Sequence, residues 1–198
     1  MTTLEDAWRW YQAVAECTKR LTHLAKFWGE FPWGQGDEWV RRVERDGVLR
    51  HVETVQLVED VEVILDEHDD LAVLVLFSVF EATVRARLKT QLAPELGNLR
   101  HPSLVEAGKA VEEAIEHGSF GRLFQAFKLE EKDKNLVAQV NQIRQWRNWV
   151  AHGRRPEMRP AAEVQPSDAY KRLGEFLNLL STFDSVDTTT LPPPPATP

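Results

Sequence analysis

The 198-residue sequence has little cysteine and no long apolar run. Its single cysteine, Cys17, excludes a disulfide within the chain and a cysteine-rich zinc site. The longest apolar run, Leu71–Phe80, has ten residues, whereas a helix needs about 20 to span a bilayer. The first residues are polar and acidic, so we expect no signal peptide. These absences predict a soluble protein without a membrane partner, for which we expect a cytoplasmic location.

Positive charge is scarce as well. The sequence has 24 Lys and Arg against 31 Asp and Glu, which gives a formal net charge of −7. This balance argues against a general DNA-coating protein, whose affinity would come from neutralising phosphates. Residues 53–70 contain eight acidic residues and no Lys or Arg. A divalent-metal site with His68 is one interpretation of this run, but a solvated helix face is favoured. We therefore predict no metal and no cofactor.

Apolar residues recur at helical spacing along most of the chain, and no alternating pattern between hairpin turns indicates a strand. Leu71–Phe80 and its continuation to Leu88 predict a helix of twenty-odd residues at the buried centre of a bundle. An apolar stripe from Val52 to Leu65 predicts another helix. Further helices are predicted over about residues 4–27, 102–117, 120–127, 131–151 and 167–183. The predicted fold class is all-α.

The chain is expected to divide into three parts. Residues 1–50 should form an N-terminal helix and an aromatic loop packed on a helical bundle of residues 51–183. Residues 184–198 should form a disordered tail, because they are rich in Pro and Thr. Five of the seven tryptophans lie in residues 1–39, and we expect them to fix the first helix to the bundle; a partner-binding surface is the alternative. Cys17, in the first helix, is expected to be buried.

Positive charge is concentrated in one short segment around His152. Residues 144–159 contain five arginines and one glutamate, a net charge of +4, so the rest of the chain carries −11; the arginines are Arg144, Arg147, Arg154, Arg155 and Arg159. Guanidinium groups at this density predict an anion site large enough for one or two phosphates. The alternative is a helix C-terminus stabilised by nearby cations.

The predicted helix over residues 131–151 arranges this segment. Arg144, Asn148 and His152 lie four residues apart and form one polar ridge, whereas Arg147 lies nearer the apolar stripe. Arg147 and His152 are about 140° apart around an ideal helix. They can meet only if the last turn loosens at Gly153, or if a second copy of the helix faces the first. The second arrangement predicts a composite site in a homodimer.

These residue types suit metal-independent cleavage of RNA, in which the 2′-hydroxyl attacks the neighbouring phosphate. His152 can move protons near neutral pH, and Arg147 can stabilise the charge on the phosphoryl oxygens. Asn148 can position the phosphate or the imidazole. The residues expected to guide the strand are Arg144, Arg154 and Arg155.

One acidic residue belongs with this set. Glu81 is a single carboxylate within the apolar helix, where an unpaired charge is costly. We expect it to be paired with an arginine or the histidine of the basic segment, or else with Arg85 in a structural salt bridge.

The string from Arg147 to Gly153, RNWVAHG, resembles the signature of the HEPN superfamily, in which Arg and a polar residue are followed by His near the end of a long helix. The helix that ends with Phe80 and Glu81 also resembles the earlier HEPN helix, where an acidic residue often faces the motif. The resemblance covers roughly residues 55–183 and implies an α-helical bundle. It also implies a metal-independent endoribonuclease that dimerises so that two Arg/His pairs share one cleft.

Two functions follow from these observations. The first is an RNA-cleaving enzyme of toxin or phage-defence type that acts as a homodimer, with a cognate antitoxin or a defence-system protein as a candidate partner. The second is a catalytically inactive HEPN module that binds a nucleotide or a partner protein. Cleavage of RNA that depends on His152 would distinguish the first from the second.

Overall fold

The computed structural model describes residues 1–28, 30, 34, 36–46, 53–125 and 134–183. Within these residues the chain forms helices and no strand, so the all-α prediction is confirmed there. The α-helices are α1 (Leu4–Trp28), α2 (Glu38–Arg45), α3 (Thr54–Gly97), α4 (Pro102–His117), α5 (Phe120–Gln125), α6 (Lys134–Ala151) and α7 (Pro166–Phe183). A 3-10 turn, Pro156–Met158, lies between α6 and α7. No helix in this part of the chain is long and apolar enough to cross a membrane.

Helix α3 is much longer than predicted, with 44 residues. The sequence predicted one helix over residues 52–65 and a second from Leu71, and this division is wrong. The acidic residues between them include no Gly or Pro, so nothing interrupts the helix there. The first of the two apolar stripes is also mostly exposed: Val55 and Leu65 are 66% and 43% exposed, and Val61 is the buried member among those described.

The core lies around the middle of α3, as the apolar run predicted. Residues of α3 from Val73 to Val84 pack against α6 and α7, together with Phe120 and Phe124 of α5. The Phe80 ring meets the rings of Phe120 and Phe176 edge to face, with centroids 5.9 and 5.7 Å apart. Each such aromatic pair contributes about 0.5–1.5 kcal/mol beyond the area it buries. This core fixes the position of α3, which carries Glu81, relative to α6, which carries Arg144, Arg147 and Asn148.

Helix α1 packs mainly on α3 and also contacts α7. Trp8 stacks on Tyr170 of α7, with ring centroids 4.9 Å apart, and Trp28 is buried. Trp39 of α2, in contrast, is 56% exposed. The prediction that Cys17 is buried is wrong, because Cys17 is exposed. It precedes the buried Thr18 and is therefore about 100° away from it around the helix.

Some predictions lie outside the described residues. They concern most of the aromatic loop after α1, the residues preceding α6 from 131 to 133, the end of the short helix at 126–127, and the tail 184–198.

Candidate functional site

The basic segment sits at the C-terminal end of α6, where the helix ends in a regular cap. His152 N–H still donates to the Asn148 carbonyl at 3.0 Å, so the last turn keeps its α-helical spacing. Gly153 N–H then donates to the Val150 carbonyl at 3.1 Å, and Arg154 N–H to the Trp149 carbonyl at 2.9 Å. Gly153 has φ +80°, and this pattern is the Schellman motif. The predicted loosening of the last turn at Gly153 is therefore not present.

A cavity of about 360 Å³ lies between α3, α6 and the junction of α4 with α5. We call it the arginine cavity. The charged and polar residues that line it are Glu81, Arg85, His117, Ser119, Arg144, Arg147 and Asn148. Three guanidinium groups against one carboxylate leave the cavity with an excess of positive charge. Such a surface attracts an anion, and planar guanidinium groups match the oxygens of a phosphate.

Glu81 joins two of these arginines. Its Oε1 accepts hydrogen bonds from Arg85 Nε at 3.0 Å and Nη2 at 2.7 Å, and its Oε2 lies 3.8 Å from Arg147 Nη2. Arg85 also donates to the carbonyls of Ile115 and Gly118, the latter at 2.8 Å. Both partners considered for Glu81 are thus found, but Arg85 is the closer one. Arg85 holds the α4–α5 junction against α3, and its donors are largely used by the protein.

Arg147 has donors to spare. Its Nη1 donates to Asn148 Oδ1 at 3.1 Å, and its guanidinium lies 5.8 Å from the centroid of the Phe77 ring. Its Nε is buried and has no hydrogen-bond partner among the described residues. A buried N–H without a partner is costly. An oxyanion bound in the arginine cavity is one group that could accept from Arg147.

A second cavity, of about 400 Å³, lies on the other side of Asn148. We call it the histidine cavity, and it is lined by Gln145, Asn148, Trp149, His152, Arg155, Glu157, Met158, Arg159 and Pro160. The indole N–H of Trp149 donates to the Arg155 carbonyl at 2.8 Å, which fixes the ring against the segment after α6. The Arg159 guanidinium lies 5.6 Å from the centroid of the same ring. One continuous stretch of chain, residues 145–160, therefore forms the whole cavity.

The structure divides the predicted site residues between the two cavities. Glu81, Arg144 and Arg147 line the arginine cavity, and His152 and Arg155 line the histidine cavity. Asn148 lines both. Within one chain Arg147 and His152 do not share a cavity, which agrees with their separation around the helix. The polar ridge of Arg144, Asn148 and His152 runs from the first cavity to the second.

Arg154 lines neither cavity. Its Nη1 lies 2.6 Å from Glu67 Oε1 and its Nη2 2.6 Å from Asp70 Oδ2, so it ties the end of α6 to α3. Asp70 also accepts from the indole N–H of buried Trp146 at 2.8 Å. The hydrogen bond to Glu67 raises the pKa of Arg154 and lowers the pKa of the Glu67 carboxyl. Guiding an RNA strand, the role predicted for Arg154, is at odds with this placement.

The acidic run of α3 does not form a metal cluster with His68. Among the described residues no group of three or more His, Cys, Asp and Glu is arranged to hold a metal ion. His68 is buried instead, with its ring 4.7 Å from that of Tyr11 and 6.0 Å from that of Trp10.

Sequence reasoning missed several lining residues. Arg85 was considered only as a partner of Glu81, and His117 and Ser119 were not considered, although all three line the arginine cavity. They lie 15 or more residues before α6 in the chain, and only the packing of α3 and α4 brings them there. Arg159 and Trp149 belong to the same basic segment as His152. The position of Arg159 and Trp149 in the basic segment was the sequence signal for the histidine cavity.

Comparison of the chain with protein-family models, with curated proteins and with solved structures finds no match.

Proposed function

We propose that this protein is a metal-independent endoribonuclease of toxin or phage-defence type that acts as a homodimer. The observation that carries the proposal is the pair of neighbouring cavities that share Asn148. One presents the guanidinium groups of Arg144 and Arg147 to a phosphate, and the other contains the imidazole of His152. Phosphate charge stabilisation and proton transfer near neutral pH are the two requirements for cleaving RNA through its own 2′-hydroxyl.

In the proposed reaction the scissile phosphate binds in the arginine cavity, in contact with Arg144 and Arg147. His152 accepts the proton of the 2′-hydroxyl, and the oxygen attacks the neighbouring phosphorus. The bond from phosphorus to the 5′-oxygen breaks, and this oxygen receives a proton from a water molecule as it leaves. The products are one RNA end with a 2′,3′-cyclic phosphate and one with a 5′-hydroxyl. Arg147, whose buried Nε has no hydrogen-bond partner among the described residues, would supply positive charge to the phosphoryl oxygens.

The separation of Arg147 from His152 in one chain is the reason for proposing a dimer. Two copies that face each other along the ends of α6 would place His152 of one chain beside Arg147 of the other. Such two-fold interfaces use the same surface on both subunits, so the dimer would hold two equivalent sites. A cognate antitoxin or defence-system protein that covers this surface would block both sites together.

The test is an assay of purified protein on single-stranded RNA in the presence of EDTA. We expect cleavage to continue in EDTA, to give 2′,3′-cyclic phosphate ends, and to be lost in His152→Ala while the dimer persists in size-exclusion chromatography. The matched control is His23→Ala, since His23 is exposed on α1 and lines neither cavity. Cleavage that survives in His152→Ala, or that stops in EDTA, would overturn the mechanism.

The second candidate is a catalytically inactive module that binds a nucleotide or a partner protein. The observation in its favour is that Arg147 and His152 line different cavities. It predicts no cleavage at any protein concentration, with binding that still requires Arg147. Growth arrest on expression in a bacterial host, relieved by Arg147→Ala, would favour the enzyme over this alternative.

A further inference from the structure

We propose that the histidine cavity binds a guanine base, with Glu157 and Arg155 recognising its polar edges. This inference rests on the proposed function, because the guanine would belong to the nucleotide that carries the attacking 2′-hydroxyl. It adds a substrate preference: cleavage on the 3′ side of guanosine in single-stranded RNA.

The walls of the histidine cavity suit a flat aromatic ring. Trp149, Met158 and Pro160 contribute apolar surface, and the cavity volume is about 400 Å³. The Trp149 ring is held in place by the hydrogen bond from its indole N–H to the Arg155 carbonyl, 2.8 Å long. Preformed apolar walls with a few polar groups at defined positions are typical of small-ligand sites. Single-stranded RNA bases are bound in this way, by packing on aromatic side chains with hydrogen bonds to their edges.

The polar groups of the cavity are available to a ligand. The side chains of Gln145, His152, Arg155 and Glu157 make no hydrogen bond or ion pair with the residues that the structure describes. Glu157 is the single carboxylate among three potentially cationic groups, yet it pairs with none of them. An exposed carboxylate repels phosphate, but it can accept hydrogen bonds from a ligand that has donors, such as the edge of a base.

Guanine is the base that matches this combination. Its N1–H and N2–H donors lie side by side, and the two oxygens of a carboxylate can accept from both. Its O6 and N7 are adjacent acceptors, which an arginine can bind with two N–H groups. Adenine and cytosine have one amino group and no neighbouring ring N–H, and uracil has a single N–H. One carboxylate and one guanidinium therefore distinguish guanine from the other three bases.

The position of the histidine cavity would bring the ribose of a bound nucleotide close to the residues proposed to cleave RNA. His152 lines it, and Asn148 lies between it and the arginine cavity. A nucleotide with its base against Trp149 would have its ribose near His152. Its 3′-phosphate would then extend past Asn148 toward Arg147 of the facing chain, as the proposed dimer requires.

The experiment measures binding of the four nucleoside 3′-monophosphates by isothermal titration calorimetry. These ligands lack a scissile bond, so the wild-type protein can be used. We expect 3′-GMP to bind about tenfold more tightly than 3′-AMP, 3′-CMP or 3′-UMP, because a good bidentate contact discriminates between bases. Equal affinity for the four nucleotides would overturn the proposal.

Variants test which residues cause the preference for guanine. In Glu157→Gln we expect the affinity for 3′-GMP to fall by about tenfold, with little change for 3′-AMP. Glu59→Gln is the matched control, since Glu59 is exposed on α3 and lines neither cavity. A second variant, Arg155→Gln, should also weaken 3′-GMP binding, because Arg155 would no longer donate to O6 and N7. Preference for 3′-GMP that survives in both variants would overturn the proposal.

The outcomes separate this inference from the proposed function. Tight 3′-GMP binding without RNA cleavage would support the guanine site and overturn the ribonuclease. Cleavage at all four nucleotides, unchanged in Glu157→Gln, would support the ribonuclease and overturn the guanine site. Sequencing of the cleaved ends, which should carry guanosine 2′,3′-cyclic phosphate, completes the comparison.

Discussion

Two consecutive residues with positive φ end α6: Gly153 at +80° and Arg154 at +54°. The left-handed conformation costs a residue with a Cβ roughly 1–2 kcal/mol, whereas glycine adopts it freely. Arg154 is held in it by its ion pairs with Glu67 and Asp70, both at 2.6 Å. The end of α6 therefore combines a glycine, for which positive φ costs little, with an arginine whose conformational cost is offset by ion pairs with α3.

We predict that Gly153→Ala lowers the free energy of unfolding by about 1 kcal/mol, because alanine must adopt positive φ there. A Cβ at residue 153 would meet no atom within 4 Å, so crowding adds nothing to this cost. Gly97→Ala is the matched control, since a Cβ at residue 97 is equally unhindered and Gly97 is helical. It should be neutral or stabilising. Urea denaturation of both variants measures the difference, and equal effects would contradict the conformational explanation.

Individual residues show where sequence reasoning succeeds and where it ends. The ridge of Arg144, Asn148 and His152 depends only on the helical repeat, and the structure has it. The pairing of Arg154 with Glu67 joins residues 87 positions apart and depends on how α6 packs on α3. Periodicity within one helix contains no information about that packing. The exposure of Cys17 was missed for a related reason, because the buried side of α1 depends on where α3 lies.

At the scale of elements, α1 and α3 meet around an aromatic cluster that contains a titratable group. His68 of α3 is 5% exposed and stacks on Tyr11 of α1. The Tyr11 hydroxyl donates to Asp69 at 3.0 Å, and burial together with this bond raises the pKa of Tyr11 to about 12. The phenol therefore remains protonated at neutral pH, whereas burial lowers the pKa of His68.

We predict that the α1–α3 packing weakens as the pH falls. Burial lowers the pKa of His68 below its usual 6.5, and the Asp69 carboxylate opposes this only in part. The unfolded chain therefore binds the proton more tightly than the native protein. The stabilising contribution is complete above the unfolded pKa, about 6.5, and is lost as the pH falls through the lower native pKa.

The variant His68→Phe keeps a ring at this position and removes its titration. Between about pH 7.5 and about pH 5.5, the wild-type free energy of unfolding should fall relative to that of His68→Phe by up to about 1 kcal/mol. Urea denaturation at both pH values measures this difference. The control His23→Phe, at an exposed position of α1, should follow the wild type. If the free energies of unfolding of the wild type and His68→Phe have the same pH dependence, the pKa of His68 is the same in the native and unfolded states, which contradicts the prediction.

The elements also explain how much of the candidate site was predictable. The helical character of the other segments follows from apolar spacing, whereas α2 was not predicted; the ends of α4 and α6 follow from Gly118 and Gly153. The length of α3 does not follow, because the acidic stretch before Leu71 carries no signal that either continues or ends a helix. The arginine cavity needs α3, α6 and the α4–α5 junction at once, so its full lining was beyond reach. The histidine cavity lies in one stretch of chain, and its residues were within reach.

At the scale of the whole molecule, ion pairs in the folded protein reduce the excess positive charge that the sequence places in residues 144–159. The sequence has +4 in residues 144–159 and −11 elsewhere. The structure brings Glu67 and Asp70 of the acidic run against Arg154, so one of the five arginines is neutralised. Glu81 reduces the charge of the arginine cavity by one more. The surface that remains positive is small, and an otherwise acidic molecule surrounds it.

This distribution predicts a weak dependence of RNA binding on salt. For single-stranded nucleic acid, the logarithm of the affinity falls with the logarithm of the salt concentration with a slope of about −0.7 per phosphate neutralised. If Arg144 and Arg147 neutralise about two phosphates, the slope is about −1.4. Fluorescence anisotropy with a labelled RNA and the non-cleaving His152→Ala protein can measure it.

Arg144→Ala and Arg147→Ala should each make the slope shallower by about 0.7. Arg154→Gln should leave it unchanged, because the Arg154 charge is already held by two carboxylates. An equal loss in Arg154→Gln would mean that RNA contacts the end of α6 outside the two cavities, which would contradict the proposed path of the strand.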